Sequence, residues 1–108
     1  IGQRLIRRVC ADCVQAYLPG EIDAARVGLE AAGLPAGRYV RATGCQSCGA
    51  SGYRGRCGVY EALILDRAMR GAIDAGATES QIREAAAAAG MKTMLHDGLA
   101  KAAAGITT

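Results

Sequence analysis

Two Cys-x-x-Cys pairs constrain this chain of 108 residues more than any other feature of its sequence. The pairs are separated by 31 residues. Each pair can present two thiolates from one tight turn, and two such turns complete a tetrahedral site for a single metal ion. The spacing therefore predicts one structural zinc ion per chain, with the ligands Cys10, Cys13, Cys45 and Cys48.

The composition explains why a chain like this would depend on an ion. Trp and Phe are absent, and four Tyr provide all the aromatic area. Much of the apolar fraction is Ala, which removes little surface from water when it is buried. Zinc binding of order 10 kcal/mol would compensate for this thin core, since it appears as folding energy. Four thiolates also leave no open coordination position, so no zinc-activated hydrolysis is expected.

Three other uses of the four cysteines stay open at this point. A disulfide framework requires an oxidising compartment, which nothing in the sequence indicates. A thioredoxin-like pair normally occurs once, and iron–sulfur clusters usually have different cysteine spacings. The fifth cysteine, Cys57, could be an alternative ligand or a reactive thiol, but a small buried strand residue is the preferred interpretation.

Apolar periodicity divides the chain near Asp66, and the part before it mixes strands with one helix. Strands are predicted at 3–9, 38–43 and 59–65, and a helix at 21–32 that stops at Gly33. The glycine-rich run 49–56 is predicted to form turns around the second cysteine pair, with Arg54 and Arg56 pointing outward. It lacks the Gly-Lys-Ser/Thr ending of a phosphate-binding loop.

The part after Asp66 is predicted to be three helices, each stopped by a glycine. Their expected N-caps are Asp66, Thr78 and Thr93, and Gln81 would complete a capping box with Thr78. The fold class is therefore α+β: a zinc-knuckle subdomain with a short antiparallel β-hairpin and one inserted helix, then a small helical bundle. The expected domains are 1–65 and 66–108, the second truncated at its end.

Charge and hydropathy bear on location and partners. The net charge is +3, and residues 1–58 hold eight Arg against four acidic residues. These arginines could form a phosphate-binding patch or a scattered solvated surface. Nucleic acid is not an expected partner, because stacking aromatics and a basic recognition helix are missing. No signal peptide or membrane span is evident, which favours the cytoplasm. The only histidine, His96, is expected to be a solvated helix residue.

Several linked motifs, in order, resemble the secretion motor ATPases of type II secretion and type IV pilus assembly. They are the run 3–9 leading into the first cysteine pair, Gly44 before the second pair, the Gly-Tyr-Arg-Gly-Arg-x-Gly-Val-Tyr-Glu run at 52–61, and the tail motifs at 90–99 and 105–108. The match spans essentially the whole chain and is to the C-terminal region of that family. Ala50 departs from it, standing where the family often has Gly, and Cys57 stands where it often has Thr.

The resemblance implies a hexameric cytoplasmic motor at the inner face of the inner membrane, driven by ATP hydrolysis. Its nucleotide-binding domain, with ATP and Mg²⁺, would lie upstream, so residues 1–108 should have no activity of their own and no catalytic residue. The absence of an initiator Met agrees with a piece of a longer protein. Neighbouring subunits and an inner-membrane platform protein would be its partners, with peripheral membrane association through them or through the arginines.

A second hypothesis is a stand-alone zinc-binding module that recognises nucleic acid or unfolded protein. The second cysteine pair followed by glycines faintly resembles the repeats of chaperone cofactors, which carry four such repeats. A redox enzyme is the weakest alternative, because zinc-bound thiolates would be protected from oxidation.

Overall fold

The computed structural model describes residues 1–16, 33 and 39–108. Four strands and three helices lie in these residues, together with one 3-10 turn at Gln46–Cys48. The strands are β1 (Gly2–Val9), β2 (Gln15–Ala16), β3 (Val40–Arg41) and β4 (Tyr53–Glu61). The helices are α1 (Arg67–Asp74), α2 (Glu79–Ala88) and α3 (Met94–Ala103). The predicted α+β class is confirmed.

The main sheet is an antiparallel pair of β1 and β4, two strands that are far apart in the sequence. Its register pairs Gly2 with Glu61 at one end and Arg7 with Arg56 near the other. The register shifts between Arg7 and Val9, because β4 carries one extra residue there. A second, much shorter antiparallel pair joins β2 to β3. The first cysteine pair therefore lies between β1 and β2, and the second lies between β3 and β4.

The strand bounds differ from the prediction around the glycine-rich run. Tyr53 to Arg56 belong to β4 and do not form turns, because β1 supplies a hydrogen-bonding partner along that stretch. Residues 62–65 were predicted as strand but have no regular structure. Glu61 already pairs with Gly2, so β1 has no further strand residue to offer them. Their strand-forming side chains are therefore exposed.

The three helices begin at the predicted caps. Asp66 Oδ1 accepts from the Met69 amide at 2.8 Å, and Thr93 caps α3 through the His96 amide. Thr78 and Gln81 form the reciprocal capping box, with 2.9 Å from the Thr78 amide to Gln81 Oε1. The glycines that follow the helices, Gly76, Gly90 and Gly105, all have positive φ. These caps are local contacts, which is why the sequence alone could locate them.

Helix α3 packs against the β1–β4 sheet and forms one apolar layer with it. A Cβ placed on Gly98 would lie 3.8 Å from Val59, and one on Gly2 would lie 3.4 Å from the Met94 methyl carbon. Val59 and Ala102 are buried in this layer, while Met69 and Ala86 are buried in the α1–α2 pair. The small residues at the interface allow the helix to approach the sheet closely.

Two predictions cannot be assessed on these residues. The helix at 21–32 lies outside the described part of the chain. The division at residues 65 and 66 stays a prediction, although contacts cross it: Met94 N donates to Glu61 Oε2 and Thr107 Oγ1 donates to the Arg7 carbonyl. In the described ranges, no helix is long and apolar enough to span a bilayer.

Candidate metal centre

The structure brings all four predicted cysteines into one cluster. Their sulfur atoms all lie within 4.8 Å of one another, an arrangement that could hold a metal ion. The Sγ–Sγ distances are 3.8 Å from Cys10 to Cys45, 3.9 Å from Cys13 to Cys48 and 3.7 Å from Cys45 to Cys48. A disulfide needs about 2.05 Å, so all four are free thiols. Two residue pairs with 31 residues between them thus converge on one point.

The ends of the two main strands deliver the cysteines to this point. Cys10 follows β1 directly, and its amide donates to the Gly52 carbonyl at 2.9 Å. Cys48 ends the 3-10 turn four residues before Gly52, which leads into β4. Cys10 is buried with 1% of its surface exposed, whereas the other three are half-buried. The cluster therefore lies at the end of the β1–β4 pair, with Cys10 buried and the other three cysteines partly exposed.

Backbone amides point toward the sulfur of Cys48. The amides of Cys45 and Gly52 each donate to Cys48 Sγ at 3.2 Å. Such bonds favour the thiolate over the thiol, since the negative sulfur is the better acceptor. Gly52 was not among the residues predicted for the site. The glycines after the second cysteine pair were the only hint of it.

Unusual backbone angles shape this turn. Gly44 has a φ of 105° and Gly52 a φ of 80°. A Cβ at Gly44 would approach the Ala50 carbonyl oxygen to 2.6 Å, and one at Gly52 would approach the Ala42 Cβ to 2.7 Å. Ala50 itself has a φ of 64°, the conformation that L-residues other than glycine rarely adopt. Ala50 therefore holds a conformation that suits glycine, at the position where the resembled family often has Gly.

Two of the cluster's thiols, Cys10 and Cys48, differ in their pKa. Burial raises the pKa of Cys48, but the amide bonds from Cys45 and Gly52 and the neighbouring thiols outweigh it and bring that pKa to about 6. The backbone bond to Asp12 lowers the pKa of Cys10, but burial and the bonds with Cys45 and Cys13 raise it to about 11. Clustered thiolates repel one another, so one ionises early and another late.

The remaining candidates lie away from this cluster. Cys57 is half-buried in β4 opposite Ile6 and is not among the grouped sulfurs, which fits its preferred interpretation as a strand residue. His96 lies on α3 and is half-buried, so it is less solvated than predicted. Arg54 and Arg56 are exposed, as expected. The Arg7 guanidinium stacks on the Tyr53 ring at 4.0 Å.

One protein family matches this chain along its whole length. The family model described as "Type II/IV secretion system protein" matches residues 1–108. This chain belongs to that family. The resemblance found in the sequence motifs is confirmed.

Relatives within the type II/IV secretion system family cover this chain from end to end. It is 43% identical over 108 residues to a type IV pilus assembly ATPase PilB from Thermus thermophilus. It is 41% identical over 110 residues to a type II secretion system protein E from Dickeya dadantii, and 37% identical over 108 residues to the type II secretion system protein HxcR from Pseudomonas aeruginosa. The chain spans 12%, 21% and 19% of the lengths of these three relatives.

Proposed function

We propose that this chain is the zinc-binding C-terminal region of a hexameric ATPase that powers assembly of a type II secretion pseudopilus or a type IV pilus. The observation that carries the metal is the cysteine geometry. A tetrahedral ion with bonds of about 2.3 Å to sulfur requires sulfurs about 3.8 Å apart. Three of the separations, at 3.7 to 3.9 Å, fit that requirement.

Zinc suits this donor set better than other ions. Four sulfurs in a tetrahedron favour zinc or iron–sulfur chemistry, and zinc is typical of paired Cys-x-x-Cys turns. The amides directed at Cys48 supply the outer-shell bonds that orient metal-ligating sulfurs. Zinc held this way is structural, and it would fix Cys10 and Cys13 to Cys45 and Cys48.

The motor function is proposed from the relatives. One relative is named an ATPase for type IV pilus assembly, and others are type II secretion proteins. The region would contact neighbouring subunits of a hexamer and an inner-membrane platform protein, in the cytoplasm at the inner face of the inner membrane. ATP and Mg²⁺ would bind in another part of the parent protein, and residues 1–108 would have no hydrolytic activity of their own.

Metal content is the first experiment. Native mass spectrometry of the purified chain is expected to show one zinc ion, which a chelator removes together with folded structure. The matched variants are Cys45→Ser, which removes a ligand, and Cys57→Ser, which leaves all four in place. Loss of zinc from the first alone supports the site. Equal retention in both, or iron in place of zinc, would refute it.

The motor is tested separately on a longer chain from the same gene. ATP hydrolysis by the longer chain, but not by residues 1–108, is expected. A longer chain without hydrolysis would count against the motor while leaving the zinc result untouched. Tight binding of a nucleic-acid or unfolded-protein probe by residues 1–108 would instead favour a stand-alone module.

A further inference from the structure

The loop between the second cysteine pair and β4 contains one hydroxyl group that has no part in the metal centre described above. Ser51 is exposed and lies between Ala50 and Gly52, both of which have positive φ. Gly52 is buried, and its amide donates to Cys48 Sγ at 3.2 Å. Because glycine moves between backbone conformations at low cost, contacts of neighbouring residues must keep this amide directed at the sulfur.

The Ser51 hydroxyl makes such contacts on both sides of Gly52. Its oxygen accepts from the Tyr53 amide at 3.1 Å. Its proton can be donated to the Cys48 carbonyl, 2.8 Å away, or to the Tyr53 carbonyl, 2.9 Å away. Bonds of this kind between a side chain and nearby backbone groups are typical of serine in tight turns. One exposed hydroxyl thus joins the residue that carries the sulfur to the first residue of β4.

The backbone bonds of this loop hold the same place less firmly. The Ser51 amide lies 3.4 Å from the Cys48 carbonyl oxygen, which is long for a bond between N–H and oxygen, whereas Ser51 Oγ lies 2.8 Å from that oxygen. The Cys10 amide bonds to the Gly52 carbonyl at 2.9 Å, but this carbonyl belongs to the next peptide group. The peptide group between Ser51 and Gly52, which carries the donating N–H, therefore depends on the hydroxyl bonds that span it.

We infer that Ser51 is a positioning residue for the metal centre: its hydroxyl fixes the loop 49–52 so that the Gly52 amide points at Cys48 Sγ. This role rests on the proposed zinc site. The amide bond stabilises negative charge on the Cys48 sulfur, and that charge is what a metal cation binds. Groups outside the ligand set that orient the ligands typically account for about ten- to a hundredfold in metal affinity.

The test compares two serine variants of the chain. Ser51→Ala removes the bridging hydroxyl, whereas Ser47→Ala makes the same change between the two cysteines, at an exposed serine whose hydroxyl bonds to no described residue. In a competition titration against a chromophoric chelator, Ser51→Ala should bind zinc about tenfold more weakly than the wild type, and Ser47→Ala equally well. Ser51→Thr keeps a hydroxyl and should restore the affinity. Equal weakening in both Ala variants, or no recovery with Thr, would contradict the positioning role.

A cadmium-loaded sample tests the direction of the amide itself. With ¹¹³Cd in the site, an amide that donates to a ligating sulfur shows a scalar coupling between its proton and the metal. The wild type should show this coupling at Cys45 and Gly52, and Ser51→Ala at Cys45 alone, because only the Gly52 amide depends on the hydroxyl. A general loss of stability would weaken both couplings together.

Two different failures can be distinguished in this experiment. If the wild type binds metal and Ser51→Ala keeps the Gly52 coupling or the wild-type zinc affinity, the role of Ser51 is refuted and the metal centre stands. If the wild type binds neither zinc nor cadmium, the metal centre is refuted and the role of Ser51 with it.

Discussion

Asp97 accepts a hydrogen bond from the backbone amide of Tyr60, with 2.9 Å between Oδ2 and N. Its other oxygen accepts from Lys101 Nζ at 2.6 Å. One carboxylate on α3 thereby satisfies a backbone donor at the outer edge of β4 and pairs with a lysine one turn along its own helix. This contact fixes α3 to the sheet by a polar bond at the border of the apolar layer.

Replacing Asp97 with Ala is expected to reduce the free energy of unfolding by about 1–2 kcal/mol, since charge-assisted bonds to a partly buried group are lost. The ion pair of Asp97 with Lys101 is 28% and 23% exposed. The control is Glu79→Ala, whose pair with Arg83 has the same spacing but is 86% and 64% exposed. That variant should lose less than about 1 kcal/mol. Urea unfolding measures both, and equal losses would contradict the prediction.

The same carboxylate predicts a pH dependence. The bonds from Lys101 and from the Tyr60 amide lower the pKa of Asp97. Because the folded pKa is the lower one, the contribution is fully present above the ordinary Asp range of about 4 and is lost as the pH falls through the folded pKa. The stability difference between the wild type and Asp97→Asn should therefore shrink on acidification. Because both proteins contain the same thiols, the effect of acid on the thiols cancels in this stability difference. A stability difference that does not change with pH would contradict the role given to Asp97.

Metal removal should act unevenly along the chain. Cys45→Ser, or chelation, is expected to abolish hydrogen-exchange protection in the described residues of 1–65 and to leave some helix in the tail. The reason is that the ligands lie in the first part, whereas α1 and α2 carry their own caps and pack on each other. Exchange measured by mass spectrometry distinguishes the regions. Unchanged protection in 1–65 would be the contrary result.

Ala50→Gly is expected to stabilise the chain by about 0.5–1 kcal/mol, because glycine adopts a positive φ without the strain that a Cβ causes. The matched control is Ala85→Gly, in the interior of α2, where the same change should cost about 1 kcal/mol. Thermal unfolding with saturating zinc should show a higher unfolding temperature for Ala50→Gly and a lower one for Ala85→Gly. A loss at both positions would show that the strain at Ala50 is negligible.

Gly52→Ala should be far more damaging than Gly55→Ala. Both glycines have positive φ, but an added Cβ at Gly55 meets nothing within 4 Å, whereas one at Gly52 meets Ala42. Gly55→Ala is expected to cost about 1 kcal/mol, from backbone conformation alone. Gly52→Ala should cost more and should also weaken zinc binding, since the Gly52 amide donates to Cys48. A competition titration for zinc measures the second effect, and equal affinities in the two variants would refute it.

The features that the sequence predicted are those with local causes. Helix caps such as Thr78 with Gln81 involve residues three apart, and each Cys-x-x-Cys pair is fixed by its own turn. Apart from the convergence of the two cysteine pairs, which their shared chemistry predicts, long-range contacts were out of reach. The strand prediction ran past Glu61 because residues 62–65 are good strand formers, and nothing local reveals that β1 ends at Gly2. Likewise, no pattern links Asp97 to the amide of Tyr60.

The position of the cysteines also changes how the β1–β4 pair is closed. Most antiparallel pairs are joined by a short loop whose geometry sets the register. Here Cys10 lies just past one strand and Cys48 just before the other, so a bound ion would serve as the turn of the hairpin. The register of β1 with β4 would then no longer depend on the length of the stretch 14–44. Through the ion, the connection from Val9 to Tyr53 would run from Cys10 to Cys48 and on through residues 49–52, whereas along the chain it is the 43 residues 10–52.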